Sequence, residues 1–278
     1  MLINQSETAY DIIIQAGQSN SEGCGRGQAD DYVPDEKIVC LESDFSIAVA
    51  NERIGPDWRD SDSNGKVNNF ALSFAKEYLL SGRLAGGRKL MIIRAAVGGT
   101  GFADKRWGMT DDLYLKMMEL IKYSLNLNPA NELVAFLWHQ GETDACYDTS
   151  RDLHYKNLKE LIESVRVKFN CPFLPFIAGD FVPQWKARCA AKKESLEELF
   201  PGMPWAGNVI PVVTAIKDVC SDIGNAEFVK TDGLSSNHEV VGNGDIIHFS
   251  RDALNKLGVR YYKALGDKIW NLQKIGIK

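Results

Sequence analysis

No stretch of the chain reaches the run of about 18 apolar residues that a membrane-spanning helix needs. The start, Met1-Leu-Ile-Asn-Gln-Ser-Glu-Thr8, also lacks a basic segment followed by a long apolar one. The sequence as given therefore predicts a cytoplasmic protein without a membrane partner, or a secreted one if it is a mature form. Positive charge is in deficit as well: 32 Lys and Arg stand against 37 Asp and Glu, a formal net charge of −5. Such a balance provides no overall field to gather phosphate backbones, so no nucleic acid partner is expected. Six cysteines, Cys24, Cys40, Cys146, Cys171, Cys189 and Cys220, include no CxxC pair. That spacing argues against a zinc knuckle or a small disulfide scaffold and predicts reduced thiols. Linkers rich in Pro, Ser or Gly, fixed-period repeats and low-complexity tracts are missing too, so residues 1–278 are expected to form a single domain. Two nucleotide signatures fail on spacing. Gly23-Cys-Gly-Arg-Gly27 has the flavour of a phosphate loop, but Gln28 stands where GxGxxG needs glycine, and no Gly-Lys pair follows Gly98 at the Walker distance.

What is present, with 45% of the 278 residues hydrophobic and 25% charged, is ample material for one sizeable core. Four apolar, β-branched runs predict buried strands: Tyr10–Ala16, Leu90–Val97, Leu133–Trp138 and Phe173–Ala178. Between them, apolar residues recur at intervals of three and four over Asn69–Leu80, Asp111–Leu125 and Arg151–Phe169, predicting helices. Further helices are expected near Lys192–Leu199 and Val209–Val219, and a short strand near Ala226–Val229. The final helix should be capped by Ser250, with Leu254, Leu257, Tyr261, Leu265, Ile269 and Leu272 along one side. Residues 22–66, rich in Asp, Gly, Ser and Asn, are expected to form long loops. Strands alternating with helices imply crossover connections, hence an α/β fold with a central, mostly parallel sheet covered on both faces.

Ligands of such sheets bind beyond the carboxyl ends of the strands. Gly17-Gln-Ser-Asn20 follows the first strand, Gly98-Gly-Thr-Gly101 the second, and Gln140-Gly-Glu-Thr-Asp144 the third. Ser19, beside a glycine that allows a tight turn, is the candidate nucleophile. Backbone N–H groups near Gly98 and Gly99, the Ser19 N–H and the Gln140 amide could converge on a developing oxyanion. The base should be one of four histidines. His154 falls on an amphipathic helix, His139 at a strand end and His238 in a loop without a well-placed acid. His248 differs, because Asp245 stands three residues earlier on a turn and can hold the imidazole by Nδ1–H. Trp58, Trp107, Trp185 and Trp205 fall in loops or at loop edges, where flat faces could contact sugar rings or pack loops onto the core.

Gly17-Gln-Ser-Asn20, Gly98-Gly-Thr100, Trp138-His-Gln-Gly-Glu-Thr-Asp144 and Asp245-Ile-Ile-His248-Phe249 together resemble blocks of the SGNH (GDSL-like) hydrolase superfamily. The closer likeness is to the branch holding sialate O-acetylesterase domains and carbohydrate esterase family 6 acetylxylan esterases. The resemblance implies a three-layer α/β/α, flavodoxin-like fold. It implies Ser19 as nucleophile, His248 as base, Asp245 as orienting acid with Glu142 as the alternative, and an oxyanion hole of Ser19, Gly99 and Gln140. Asn20, Gly98, Thr100 and Trp107 would touch the substrate, and no metal or cofactor is required. Thr143 departs from the serine expected there. The implied substrate is an acetylated carbohydrate, first acetylated xylan or xylo-oligosaccharides and second O-acetylated sialic acid. A lipid or thioester hydrolase, a nucleotide-binding module on the same sheet, and a sugar-binding protein without catalysis are the competing readings. The sequence carries no signal of oligomeric state.

Overall fold

A computed structural model describes residues 7–54, 66–191 and 208–266. In chain order the elements are β1 (Tyr10–Gly17), α1 (Ser19–Glu22), β2 (Ile38–Leu41), β3 (Ile47–Val49), β4 (Arg53–Ile54), β5 (Lys66–Val67), α2 (Phe70–Leu80) and β6 (Lys89–Arg94). They continue with α3 (Asp112–Asn126), β7 (Glu132–His139), α4 (Glu142–Cys146), α5 (Arg151–Lys168), β8 (Phe176–Gly179) and α6 (Pro183–Ala191). The chain then forms α7 (Val209–Asp222), β9 (Ala226–Val229), α8 (Asn237–Val241) and α9 (Arg251–Leu265).

Seven strands form one sheet in the order β3-β2-β6-β1-β7-β8-β9. All neighbours run parallel except β3, which lies antiparallel to β2 at the edge. Every residue of central β1 is buried, as a strand covered on both faces must be. Ile12, Ile13 and Ile14 lose all solvent contact, each worth about 1.5–3 kcal/mol of apolar burial. Helices α2 and α9 pack together on one side of the sheet, and α5 pairs with α7 on the other. Side-chain caps start the long helices where the sequence changes from polar to periodic. Asn69 accepts from Ala71 N and Leu72 N, Ser150 from Leu153 N, Asn208 from Ile210 N, and Ser250 from Ala253 N.

The expected Tyr10, Leu133 and Ala226 strands and the Asn69, Asp111, Arg151, Val209 and Ser250 helices are all observed, within a residue or a few. The second strand ends earlier than expected, at Arg94, yet Ala95 and Val97 still donate to Gln15 O and Gly17 O of β1. The fourth starts late because Cys171–Leu174 close a turn and Pro175 has no N–H to give a ladder. Residues 22–66 are not simply loops: Ile38-Val-Cys-Leu41 is buried as β2 beside β6, and β3 borders it. This four-residue apolar run was too short to stand out among polar neighbours. The helix expected near Lys192–Leu199, together with Ile269, Leu272, Trp58 and Trp205, lies outside the described residues. All six cysteines are free thiols, and no described helix is long and apolar enough to cross a membrane.

Candidate active site

Strand β1 stops at Gly17 because its backbone, at φ 125°, lies where an L side chain is strained, and a Cβ there would run into the His139 carbonyl. The chain then turns directly into α1, pinned by Gln18 N donating to His139 O at 2.9 Å. This turn lifts Ser19 onto the carboxyl rim of the sheet. His248, 229 residues later, reaches the same point on the loop ahead of α9, with Nε2 2.9 Å from Ser19 Oγ. Its Nδ1 lies 2.9 Å from each Asp245 carboxylate oxygen, and its backbone N–H donates to Asp245 Oδ1 at 3.2 Å. Burial alone would raise the Asp245 carboxyl. The charge of His248 and hydrogen bonds from His248 and Asn237 outweigh it and hold the carboxyl below the ordinary carboxylate range. The result is a nucleophile, base and acid in hydrogen-bonded series.

The other carboxylate considered, Glu142, does not touch His248's Nδ1. It is buried on α4, and its Oε1 accepts from Asn20 Nδ2 at 2.7 Å. Burial pushes its carboxyl above the ordinary range. Beside it, His139 Nε2 stands 3.8 Å from Glu142 Oε1. Burial takes the His139 ring down to about 3, so it is neutral and structural, with Nδ1 3.0 Å from the Tyr261 hydroxyl. His154 is packing, buried edge-on against Phe102. His238 accepts from Gly244 N through Nδ1 and shapes the turn that carries Asp245.

The loop after β6 comes up to Ser19 at Gly98, where an added Cβ would lie 3.5 Å from the Ser19 Cβ. Gly99 is exposed with φ 71°, and neither its N–H nor that of Ser19 has an acceptor among the described residues. Gly98 N–H is already engaged, donating to Glu22 Oε2 at 2.9 Å. Gln140 is nearly fully buried beneath Gly101. Its amide donates one N–H to Asp144 and the other weakly to Gln18 Oε1, with Nε2 3.4 Å from that oxygen.

Three expected substrate contacts are corrected. Trp107 has no exposed surface: it packs edge-on against Trp138 and donates its indole N–H to Thr100 Oγ1, so it presents no face to a sugar. Thr100 is buried and bonded to Val97 O and Trp107. Asn20 is fully buried and braces three segments. Trp185 is likewise core.

Residues not singled out from sequence complete the frame. Asn237, the first residue of α8, donates to Asp245 Oδ2 at 2.9 Å and to Cys24 O, and accepts from Arg26 N. A readable signal was the Ser236-x-x-Glu239 capping box, which announces α8 in what otherwise looks like a loop. Asp144 accepts from Phe102 N and Ala103 N, both at 3.1 Å, and so ties the loop after β6 to α4.

A mostly parallel sheet covered on both faces, with Ser19, His248 and Asp245 in hydrogen-bonded series at its carboxyl rim, is an arrangement suited to serine-dependent hydrolysis. The chain belongs to the family described as "Carbohydrate esterase, sialic acid-specific acetylesterase", which it matches over residues 9–267, and it is a carboxylic ester hydrolase. It is 28% identical over 181 residues to a protein of Arabidopsis thaliana named "Probable carbohydrate esterase", covering 60% of this chain and 66% of that protein. The crystal structure of the Arabidopsis thaliana protein superposes with a TM-score of 0.67 at 22% identity, covering 91% of this chain and 96% of that one. The structure of NanS superposes at 0.72 and 17% identity, covering 99% of this chain and 100% of that one. A carbohydrate acetylesterase from Xanthomonas citri superposes at 0.55 and 17% identity, covering 92% of this chain and 55% of that one.

Proposed function

We propose that the protein removes O-acetyl groups from carbohydrates through an acyl-enzyme on Ser19. The observation that carries this reading is the 2.9 Å approach of His248 Nε2 to Ser19 Oγ, backed by Asp245 on the other ring nitrogen. His248 takes the hydroxyl proton as Ser19 attacks the acetyl carbonyl, and Asp245 stabilises the imidazolium that forms. The tetrahedral oxyanion is received by the Ser19 and Gly99 N–H groups, with the weakly held proton of Gln140 as a third donor. As the intermediate collapses and the bond from the acetyl carbon to the sugar oxygen breaks, His248 gives its proton to that oxygen, and water, activated by the same imidazole, then attacks the acyl-enzyme and releases acetate.

A neutral acetylated sugar such as an acetylated xylo-oligosaccharide is the first substrate. Support comes from the carboxylates around the nucleophile: Glu22 beside Gly98 and Asp245 beside His248, both partly exposed. The adjacent guanidinium of Arg53 is shared between Glu22, 4.0 Å away, and Glu42. A sugar bearing its own carboxylate would meet repulsion there. O-acetylated sialic acid is the second reading, favoured by the family description. Acetate release from acetylated xylo-oligosaccharide, measured beside O-acetylated sialic acid and a long-chain ester, tests it. Faster release from the neutral sugar is expected; preference for sialic acid reverses the order of substrates, and comparable turnover of the long-chain ester removes the carbohydrate assignment.

A further inference from the structure

The nucleophile and its base come from opposite ends of the chain, so something must fix their separation. Ser19 sits on α1, and His248 sits on a loop whose neighbours are Ile247 and Phe249. The Asn20 side chain, adjoining the nucleophile, bonds both of those neighbours: Nδ2 donates to Ile247 O at 3.1 Å and Oδ1 accepts from Phe249 N at 3.0 Å. Its remaining Nδ2 proton goes to Glu142 Oε1 at 2.7 Å, so a single amide spans the ends of β1 and β7 and the loop before α9. Asn20 has no exposed surface and Glu142 only 1%, so water cannot substitute for either partner.

We infer that Asn20 is a positioning residue that sets the Ser19–His248 distance, and that Glu142 serves as the hydrogen-bond acceptor anchoring the Asn20 amide. This rests on the serine mechanism proposed above. Three bonds hold one planar group, so it cannot rotate away from the His248 loop without breaking two of them inside the core. Glu142 needs only a lone pair for this task and no negative charge, in keeping with a buried carboxyl whose proton is held more firmly than usual. An acid serving His248 would instead have to be ionised, and Asp245 already fills that place.

The test measures kcat and KM on p-nitrophenyl acetate, the rate of fluorophosphonate labelling and the melting temperature for the wild-type protein and five variants. Asn20→Ala should lower kcat by about a hundredfold, the scale of a misplaced reacting pair, with KM within about threefold. Fluorophosphonate labelling should slow in parallel, because Ser19 loses its base; a purely structural role would lower the melting temperature and leave labelling of the folded protein unchanged. Asn20→Asp keeps the size and the acceptor for Phe249 N–H but cannot donate to Ile247 O or Glu142. It should show the same loss, and serves if the alanine variant does not fold. Glu142→Ala should lose at least about tenfold in kcat, and Glu142→Gln, which keeps the acceptor, should restore it to within about fivefold. The assignment is overturned if folded Asn20 variants retain wild-type kcat and labelling, or if Glu142→Gln is as impaired as Glu142→Ala. A Ser19→Ala variant that cleaves ester like the wild type overturns the serine mechanism itself. Loss of the Asn20 effect in an enzyme that depends on Ser19 overturns only the positioning role.

Discussion

Asn237 donates its side-chain N–H to Asp245 Oδ2 at 2.9 Å, an oxygen that also lies 2.9 Å from His248 Nδ1. The acid is therefore held from both the histidine and the first turn of α8. Replacing Asn237 by Ala should lower kcat about tenfold, corresponding to roughly 1.4 kcal/mol for a hydrogen bond to a charged group. The sign of the accompanying pH effect follows from the carboxyl's depressed proton affinity. Its ionised form stabilises the fold above the ordinary carboxylate value, and that contribution is lost as pH falls through the lower folded value. Without Asn237 the folded value rises toward the ordinary one, so the variant should lose less stability on acidification through that range, which melting temperatures of variant and wild type at falling pH read directly.

Asp144 anchors the loop that carries Gly99. Its carboxylate accepts two backbone N–H groups from that loop and one amide proton from Gln140. Asp144→Asn turns one acceptor into a donor facing N–H groups and should loosen both the Gly99 donor and Gln140. A fall in kcat of about a hundredfold, close to the loss of one oxyanion donor, is expected from steady-state kinetics with KM little changed.

Gly17 admits no side chain. Gly17→Ala combines an unfavourable φ with a collision against the His139 carbonyl, and should destabilise the protein by about 3 kcal/mol or more. Chemical denaturation would register this as a lower midpoint with an unchanged slope.

His139 makes a second pH prediction, of stability rather than rate. Its folded value of about 3 lies below that of an exposed histidine, so the unfolded chain binds a proton that the folded chain refuses. Stability from this group is complete above about pH 6.5 and falls as pH drops toward 3, by up to about 1.4 kcal/mol per pH unit. Glu142, whose folded value is raised, works in the opposite direction as pH falls from that raised value to the ordinary carboxylate one. His139→Asn, which removes the titration, should flatten the decline in melting temperature between pH 6 and 4 relative to the wild type.

Much of this was legible in the sequence because the catalytic parts sit where strands end. The Ile12-Ile-Ile14 run announced a buried strand, and Gly17 after it announced a turn, so Ser19 could be located without coordinates. Asp245 and His248 were readable because three residues on one turn suffice to bring them together. The roles of Asn20, Thr100 and Trp107 were not, because a polar or aromatic residue beside a catalytic one looks the same whether it faces the ligand or the core. Only burial separates those cases, and all three are buried. Asn237 was missed for a related reason: its partner Asp245 is eight residues away across a turn, and no periodicity encodes that meeting. β2 escaped because four apolar residues between polar stretches match a loop as well as a strand, until β6 supplies the neighbour.

The central claim is that Ser19 carries the acyl group, and the most direct measurement is rapid acid quenching of the enzyme during turnover of p-nitrophenyl acetate, followed by peptide mass mapping. The account predicts one acetyl group on the peptide containing Ser19, absent in Ser19→Ala together with ester cleavage. An acetyl group on another residue, or undiminished cleavage by Ser19→Ala, would contradict it.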